Sequence, residues 1–304
     1  MYSSTLSSVL RYAAQCTSVR PLAYCHKHSV SDIGLTKRVD DADQAMKDST
    51  DIPFKRHPFC IMTKTLYEQM TERADETQVA ALSRFFKCQK GEYGEGDRFL
   101  GIKVPVTRNV VKSCWAETGF DELERCITSE YHEVRLAALL TLVEIFRHAK
   151  RDPALRQRCI DFYLGHTAHT NNWDLVDLSC YQLLGPWLDD KDRTLLYDLA
   201  ANGRTIWEQR IGIVSTMYFV RKGQTDDTFA LAQLFLDKPQ PLHDLLQKAT
   251  GWLLREAGKR EPERLKQWLE PRAATMPRTM LRYAIEKFPE AERQRMLHLK
   301  ERQE

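Results

Sequence analysis

The stretch YHEVRLAALLTLVEIFRHAK, residues 131–150, decides the fold. Its apolar residues lie on more than one side of a helix, which is typical of an inner helix that packs on several faces. More helices are predicted on both sides of it, whereas strand-like alternation is scarce from about residue 64 onward. The sequence therefore predicts an all-α protein. The predicted helices are 105–118, 131–150, 153–166, 173–184, 191–201, 206–222, 226–236, 242–258, 262–269 and 277–287.

The predicted helices repeat with a period near 40 residues. Arg135, Trp173, Arg210 and Lys248 stand at equivalent places in four apolar helices, at steps of 38, 37 and 38 residues. Such a period, with a helix pair in each repeat, is typical of a HEAT-like α-solenoid. A helix pair cannot bury its apolar face alone, so neighbouring pairs stack and leave a curved surface. We expect a HEAT-like α-solenoid with a concave surface.

Equivalent positions should form two adjacent rows on that surface. The first row is Arg135, Trp173, Arg210 and Lys248. The second row, one helical turn later, is Leu139, Asp177, Val214 and Trp252. Because solenoid cores do not place Arg, Asp and Lys at matching inward positions, we expect the rows to face the concave surface.

Asp177 is the side chain of these rows that is most suited to chemistry. It lies four residues after Trp173 and therefore on the same helix face. One interpretation is a carboxylate that is simply paired with Arg210 or Lys248. The other is a carboxylate among aromatic rings, Trp173 and Trp252, which would stabilise a developing positive charge or activate a water. Aromatic faces also attract a cationic ligand.

Several neighbours have a structural and a functional interpretation. Trp207 flanks the same face, and helix packing is favoured over ligand contact for it. Arg210 either neutralises Asp177 or grips a phosphate with its planar fork. For Arg255 we favour an ion pair with Glu256 over a direct role. Asp174 is interpreted as a solvated or capping residue.

Composition and motifs argue against several classes of function. The eight cysteines form no CxxC pair, the nine histidines have no catalytic spacing, and the nucleotide motifs GxGxxG and GxxxxGK[ST] are missing. We expect neither a metal nor a cofactor, and no transmembrane span. Residues 203–304 carry 19 basic and 14 acidic side chains. This bias is compatible with phosphate contacts, although a solvated charged surface is the commoner explanation.

The first 60 residues differ from the rest of the chain. The first 39 contain five basic residues, one acidic residue and many serines. We expect residues 1–60 to be an N-terminal extension, either disordered or a targeting segment. Residues 61–304 are expected to form the repeat domain.

Three segments, in order and spacing, resemble the AlkD-type DNA alkylation repair family. They are NNWDLVDLSCYQLLG from Asn171, TIWEQRIGIVSTMYFVRKG from Thr205 and KATGWLLREAGKREP from Lys248. FLGIKVPVTRNVVK, from Phe99, resembles the N-terminal signature of that family. The resemblance covers about residues 65–290, and the combination of WDxVD, WxxR and GWxLRE is more specific than helical periodicity alone.

The resemblance implies a HEAT-like-repeat DNA glycosylase that removes cationic N3- and N7-alkylated purines. It implies Asp177, Trp173 and Trp252 as the catalytic set. It implies Arg210 and Lys248 as residues that hold phosphates, and we further expect Arg135, Trp207 and Arg255 to bind DNA. Phe85 or Phe86 takes the place of an N-terminal aromatic residue of the family.

The implied partner is double-stranded DNA that contains alkylated purines, and we expect a monomer without a membrane partner. The expected compartment is the cytoplasm of a bacterium, or the nucleus or mitochondrion of a eukaryote. The alternative function is a non-catalytic HEAT-like scaffold that binds DNA or protein.

Overall fold

Helices build residues 64–299, the part of the chain that the computed structural model describes. Within this range there is no β-strand, and Arg98 and Tyr131 form an isolated bridge. The predicted all-α class is confirmed. The predicted extension, residues 1–60, lies outside the described residues.

The helices follow one another with short connections, apart from the longer loop between the second and third. They are α1 (Leu66–Thr71), α2 (Glu76–Phe85), α3 (Val104–Cys114), α4 (Phe120–Ile127), α5 (His132–His148), α6 (Pro153–Gly165), α7 (Trp173–Asp177), α8 (Cys180–Trp187), α9 (Thr194–Asn202), α10 (Ile206–Ser215), α11 (Met217–Arg221), α12 (Asp226–Leu236), α13 (Asp244–Gly258), α14 (Pro262–Leu269), α15 (Arg278–Ala284) and α16 (Glu290–His298). A 3₁₀ turn, Thr167–His169, precedes α7.

The four helices that carry the predicted first row pack against one another in chain order. Helix α5 contacts α7, α7 contacts α10, and α10 contacts α13, which in turn packs on α15. A second layer lies against this series: α6 packs on α5, α8 and α9 on α10, and α12 on α13. The pairing of helices that the repeat predicted is therefore present. The HEAT-like classification and the concave surface stay predictions. None of the described helices is both long and apolar enough to cross a membrane.

Two predicted helices are each split in two, and hydroxyl side chains lie at both breaks. The predicted helix 173–184 is α7 and α8, and the hydroxyl of Ser179 donates to the carbonyl of Leu175 at 2.5 Å. The predicted helix 206–222 is α10 and α11, where Thr216 donates to the carbonyl of Ile213 at 2.7 Å. Such hydrogen bonds compete with the helical ladder. As a result Asp177 is the last residue of a short helix.

The LGI segment before α3 is fixed by a buried carboxylate. Glu133, 2% exposed, accepts hydrogen bonds from the amides of Leu100, Gly101 and Ile102 at 2.9, 2.9 and 3.0 Å. Gly101 has φ +86°, and a Cβ there would collide with the carbonyl of Asp75. The segment therefore needs glycine at this position, and its role is structural.

We expect Glu133→Gln to lower the free energy of unfolding by about 3 kcal/mol, because one amide oxygen cannot replace two carboxylate oxygens. Denaturant unfolding would measure this loss. The matched control is Glu144→Gln on the same helix, whose carboxylate pairs with Arg147 near the surface and should cost less than about 1 kcal/mol. Equal losses in the two variants would contradict the role assigned to Glu133.

Candidate functional site

Asp177, at the end of α7, is held by Arg210 of α10. The Arg210 Nε donates to Asp177 Oδ1 at 2.8 Å, and its Nη2 donates to Oδ2 at 2.7 Å. The remaining guanidinium nitrogen, Nη1, donates to the carbonyl of Leu245 at 2.5 Å. The side chain of Arg210 is 7% exposed and that of Asp177 is 16% exposed. The carboxylate is thus oriented by a bidentate, nearly buried partner and keeps limited access to solvent.

Burial raises the pKa of the Asp177 carboxyl above its ordinary value, and Arg210 opposes this shift. Burial acts this way because it disfavours the charged form, whereas an adjacent guanidinium favours it. Arg210 therefore stabilises the ionised form of Asp177 at a position where burial removes most of the stabilisation by water.

Trp173, at the start of α7, lies in an aromatic cluster. Its ring stacks on Phe86 at 5.4 Å between centroids and meets the edge of Phe85 at 5.8 Å. The indole N–H of Trp173 is hydrogen-bonded to the hydroxyl of Tyr93, whose own ring meets Trp207 at 6.0 Å. Burial raises the pKa of Tyr93 to about 12. Both phenylalanines of the predicted N-terminal position thus contact Trp173.

A buried polar network lies behind α7. His132 of α5 is 1% exposed, and its Nδ1 lies 3.1 Å from Asp97 Oδ2. Its Nε2 lies 2.9 Å from Asp174 Oδ2. The interpretation of Asp174 as a solvated residue is wrong, because it is 1% exposed and bound to His132. The N-cap of α7 is Asn172, and Asp174 lies in the first turn, where it accepts the amide of Leu175 at 2.9 Å.

Helix α13 brings a cation and a second tryptophan to the same series of helices. Lys248 pairs with Asp244 at 2.6 Å, and its side chain is 40% exposed. Trp252, one turn later, is half-buried. Tyr283 of α15 lies close enough to Lys248 and Arg210 for both charges to act on its phenol, although burial raises its pKa overall. Lys248 is therefore accessible to an anionic ligand.

Residues 66–288 match the family whose members are described as DNA alkylation repair enzymes. The match spans more than half of the chain. The chain belongs to this family. The predicted resemblance is confirmed, and membership implies DNA as the partner.

The fold is also similar to that of a solved structure. A protein described as a predicted DNA alkylation repair enzyme from Enterococcus faecalis superposes with a TM-score of 0.53. The two chains are 16% identical over 71% of this chain and 97% of the other, so the likeness concerns the fold alone. No curated protein matches this chain.

The expected rows rested on the premise that arginine is not buried, and this premise is wrong for two of their residues. Arg135 is 4% exposed and Arg210 is 6% exposed, and each is bound to a carboxylate. Arg135 donates to Asp97 at 2.6 Å and to the side-chain oxygen of Asn171 at 3.1 Å. Buried charges are tolerated where they are paired in this way. Contact of either guanidinium with DNA stays a prediction.

The two remaining predicted DNA-binding residues are also largely buried. Trp207 is 7% exposed and packs against Tyr93, in line with the favoured packing interpretation. Arg255 lies 3.4 Å from Glu256 and also pairs with Glu286. The predicted Arg255–Glu256 pair is thus present, and the role of both residues in binding DNA stays a prediction.

Sequence reasoning missed Tyr93, Asp97 and His132. Their partners lie far away along the chain: Asp97 is 35 residues from His132, which is 42 residues from Asp174. Two signals were available in the sequence. The segment GEYGEGD, from Gly91, carries a lone aromatic residue among glycines and acids, and His132 opens a largely apolar helix. Neither signal names a partner.

Among residues 64–299, no three His, Cys, Asp or Glu side chains are grouped so that they could hold a metal ion. Two cavities, of about 450 and 630 Å³, are lined by residues of α9 and α12 and of the loops before α9 and after α12, and none of the candidate residues lines them.

Proposed function

We propose that this protein is a DNA glycosylase that hydrolyses the N-glycosidic bond of N3- and N7-alkylated purines in duplex DNA. One observation carries the proposal. Asp177 is a partly accessible carboxylate that Arg210 orients with two hydrogen bonds, on the helix that also carries Trp173. The family supplies the substrate class, since its members act in the repair of alkylated DNA.

The chemistry asks for a fixed negative charge. An N-alkylated purine is cationic, and breaking its glycosidic bond moves positive charge onto the deoxyribose. A preorganised carboxylate stabilises that charge and can orient the attacking water. Each oxygen of Asp177 accepts one N–H from Arg210, and a carboxylate oxygen has a second acceptor position. That second position is where a water or the sugar would be held.

The tryptophans and the lysine complete the proposed site. Trp173 and Trp252 would wall the deoxyribose of the damaged nucleotide, and Lys248 would hold a backbone phosphate. Arg210 is engaged by Asp177 and by the carbonyl of Leu245, which supports orientation of the carboxylate as its main role. A phosphate contact by its fork, the other interpretation, requires one of these hydrogen bonds to be given up.

The test is release of free 7-methylguanine or 3-methyladenine from methylated duplex DNA. The wild-type protein should release base without added metal, as measured by chromatography of the supernatant. Release of neither base, at protein concentrations where a gel shift shows the DNA fully bound, would favour the non-catalytic scaffold.

We expect DNA binding to weaken steeply with salt, because neutralised phosphates release counterions. Affinity should fall at least about tenfold between about 50 and 200 mM salt, which corresponds to two or more phosphate contacts. A gel-shift series measures this slope.

Lys248→Ala should reduce the slope of affinity against salt by the equivalent of about one phosphate contact. The matched control is Lys191→Ala, a lysine of similar exposure that pairs with Asp190, and it should leave the slope unchanged. Binding that does not respond to salt would contradict phosphate contacts.

A further inference from the structure

His132 occupies a buried position between two carboxylates that the glycosylase chemistry does not use. Its Nδ1 faces Asp97 Oδ2 at 3.1 Å and its Nε2 faces Asp174 Oδ2 at 2.9 Å. Ionised carboxylate oxygens only accept hydrogen bonds, so both ring nitrogens must donate. The geometry therefore requires an imidazolium.

The charges of the surrounding cluster lead to the same state. Arg135 donates to Asp97 at 2.6 Å, so two carboxylates face two cations when His132 is protonated. The side-chain amides of Asn171 and Asn172 also donate to Asp97, at 3.1 and 3.4 Å. A neutral imidazole would leave one negative charge unbalanced in a buried place, which is costly.

The other ionisable groups near the cluster do not change this balance. Burial raises the pKa of Cys88 to about 11 and that of Tyr93 to about 12, so both are neutral at ordinary pH. Glu133, which follows His132 on α5, is directed to the amides of the LGI segment. The positive charge of the imidazolium is thus balanced by the carboxylates of Asp97 and Asp174.

Two connections link this imidazolium to Trp173. The first is covalent, because Asp174 is the residue after Trp173 and lies in the first turn of α7. The second is through an aromatic ring: Phe86 lies 4.7 Å from the imidazole and stacks on Trp173 at 5.4 Å. Phe99 also contacts the imidazole, at 4.8 Å between ring centroids, and stacks on Phe86 at 5.3 Å.

We infer that His132 is a positioning residue, which bridges Asp97 to Asp174 and thereby fixes the ring of Trp173 at the start of the helix that ends at Asp177. The inference rests on the proposed function in one respect, the use of Trp173 to contact the damaged nucleotide. The bridge itself does not depend on the substrate.

The bridge requires a protonated His132, so it is present only within a range of pH. Burial would lower its pKa, but the charges and hydrogen bonds of Asp174 and Asp97 outweigh burial and raise the pKa to about 9. Because the folded value lies above the ordinary value near 6.5, the stabilising contribution is fully present below about pH 6.5. It is lost as the pH rises through about 9.

The test follows the indole N–H resonance of Trp173 by NMR in the full chain, assigned by its loss in Trp173→Phe. In the wild type this resonance should move with a midpoint near pH 9, together with the ring nitrogens of His132. His132→Gln is neutral and has both N–H donors on one nitrogen instead of two, so it should shift the Trp173 resonance at neutral pH and abolish the titration. Base release should fall roughly 10–100-fold with DNA affinity nearly unchanged.

The controls separate positioning from folding and from the proposed activity. His148→Gln replaces an exposed histidine that stacks on Trp115, and it should change neither readout. Asp174→Asn removes one charge and should lower the midpoint of the titration. An unmoved Trp173 resonance in His132→Gln, or a wild-type resonance that does not titrate, would overturn the inference. If the wild type releases no base, the glycosylase proposal fails while the resonance still decides the role of His132. If both variants unfold, the wild-type titration decides it.

Discussion

The Asp177→Asn variant is expected to release methylated bases from duplex DNA about 10²–10³-fold more slowly than the wild-type protein. Asparagine keeps the size of the side chain but removes the charge that faces the developing oxocarbenium ion. It also offers Arg210 only one acceptor oxygen, so some loss of stability will accompany the loss of rate. Single-turnover base release, measured at a temperature where both proteins are folded, tests this expectation.

The matched control is Asp189→Asn. Asp189 also forms an ion pair, with Lys222, and accepts a hydrogen bond from Tyr218 at 3.1 Å. It lies outside the site, so its replacement should leave the rate of base release within about twofold while costing stability. Equal rates for Asp177→Asn and the wild type would show that the carboxylate has no part in the chemistry.

The Arg210→Gln variant should move the acid limb of the pH–rate profile to higher pH. Burial already raises the pKa of Asp177, and Arg210 is the charge that opposes the shift. Without the guanidinium the pKa of Asp177 rises further, so the ionised form that the reaction needs is lost at a higher pH as the solution is acidified. Removing one partner of a nearly buried pair should also cost about 3 kcal/mol of stability.

A second arginine serves as the control for this stability loss. Arg193 pairs with Asp227 at 2.6 Å and is also mostly buried. Arg193→Gln should therefore lose stability but keep the acid limb of the wild type. If Arg210→Gln loses stability and keeps that limb and the rate of base release, its pairing with Asp177 is purely structural.

The sequence predicts the all-α class and most of the helices between residues 105 and 287, because the apolar pattern alone sets them. It fails at Ser179 and Thr216, where side-chain hydrogen bonds accompany breaks within apolar runs. Residue type and spacing give no sign of such breaks, since serine and threonine also occur inside intact helices.

The candidate site is predicted in part for a similar reason. Periodicity places Trp173, Asp177 and Arg210 on neighbouring helices, and the structure brings the last two together. It cannot foresee that Arg135 is buried, because burial of a charge depends on a partner such as Asp97 in a distant loop. The burial of His132 likewise depends on Asp97 of that loop, which lies 3.1 Å from its Nδ1.

The hydrogen bond from Arg210 to the carbonyl of Leu245 has a consequence for the spacing of the two tryptophans. Trp173 is on α7 and Trp252 is on α13, and the guanidinium of α10 bonds to both of these helices at once. The length of the Arg210 side chain therefore fixes the distance between α7 and α13, the helices that carry the two tryptophans. Lysine at this position would keep a positive charge but lose the rigid fork that sets the gap. Arg210 thus supplies the positive charge beside Asp177 and also sets the spacing between α7 and α13. A substitution of this residue would change both properties at once.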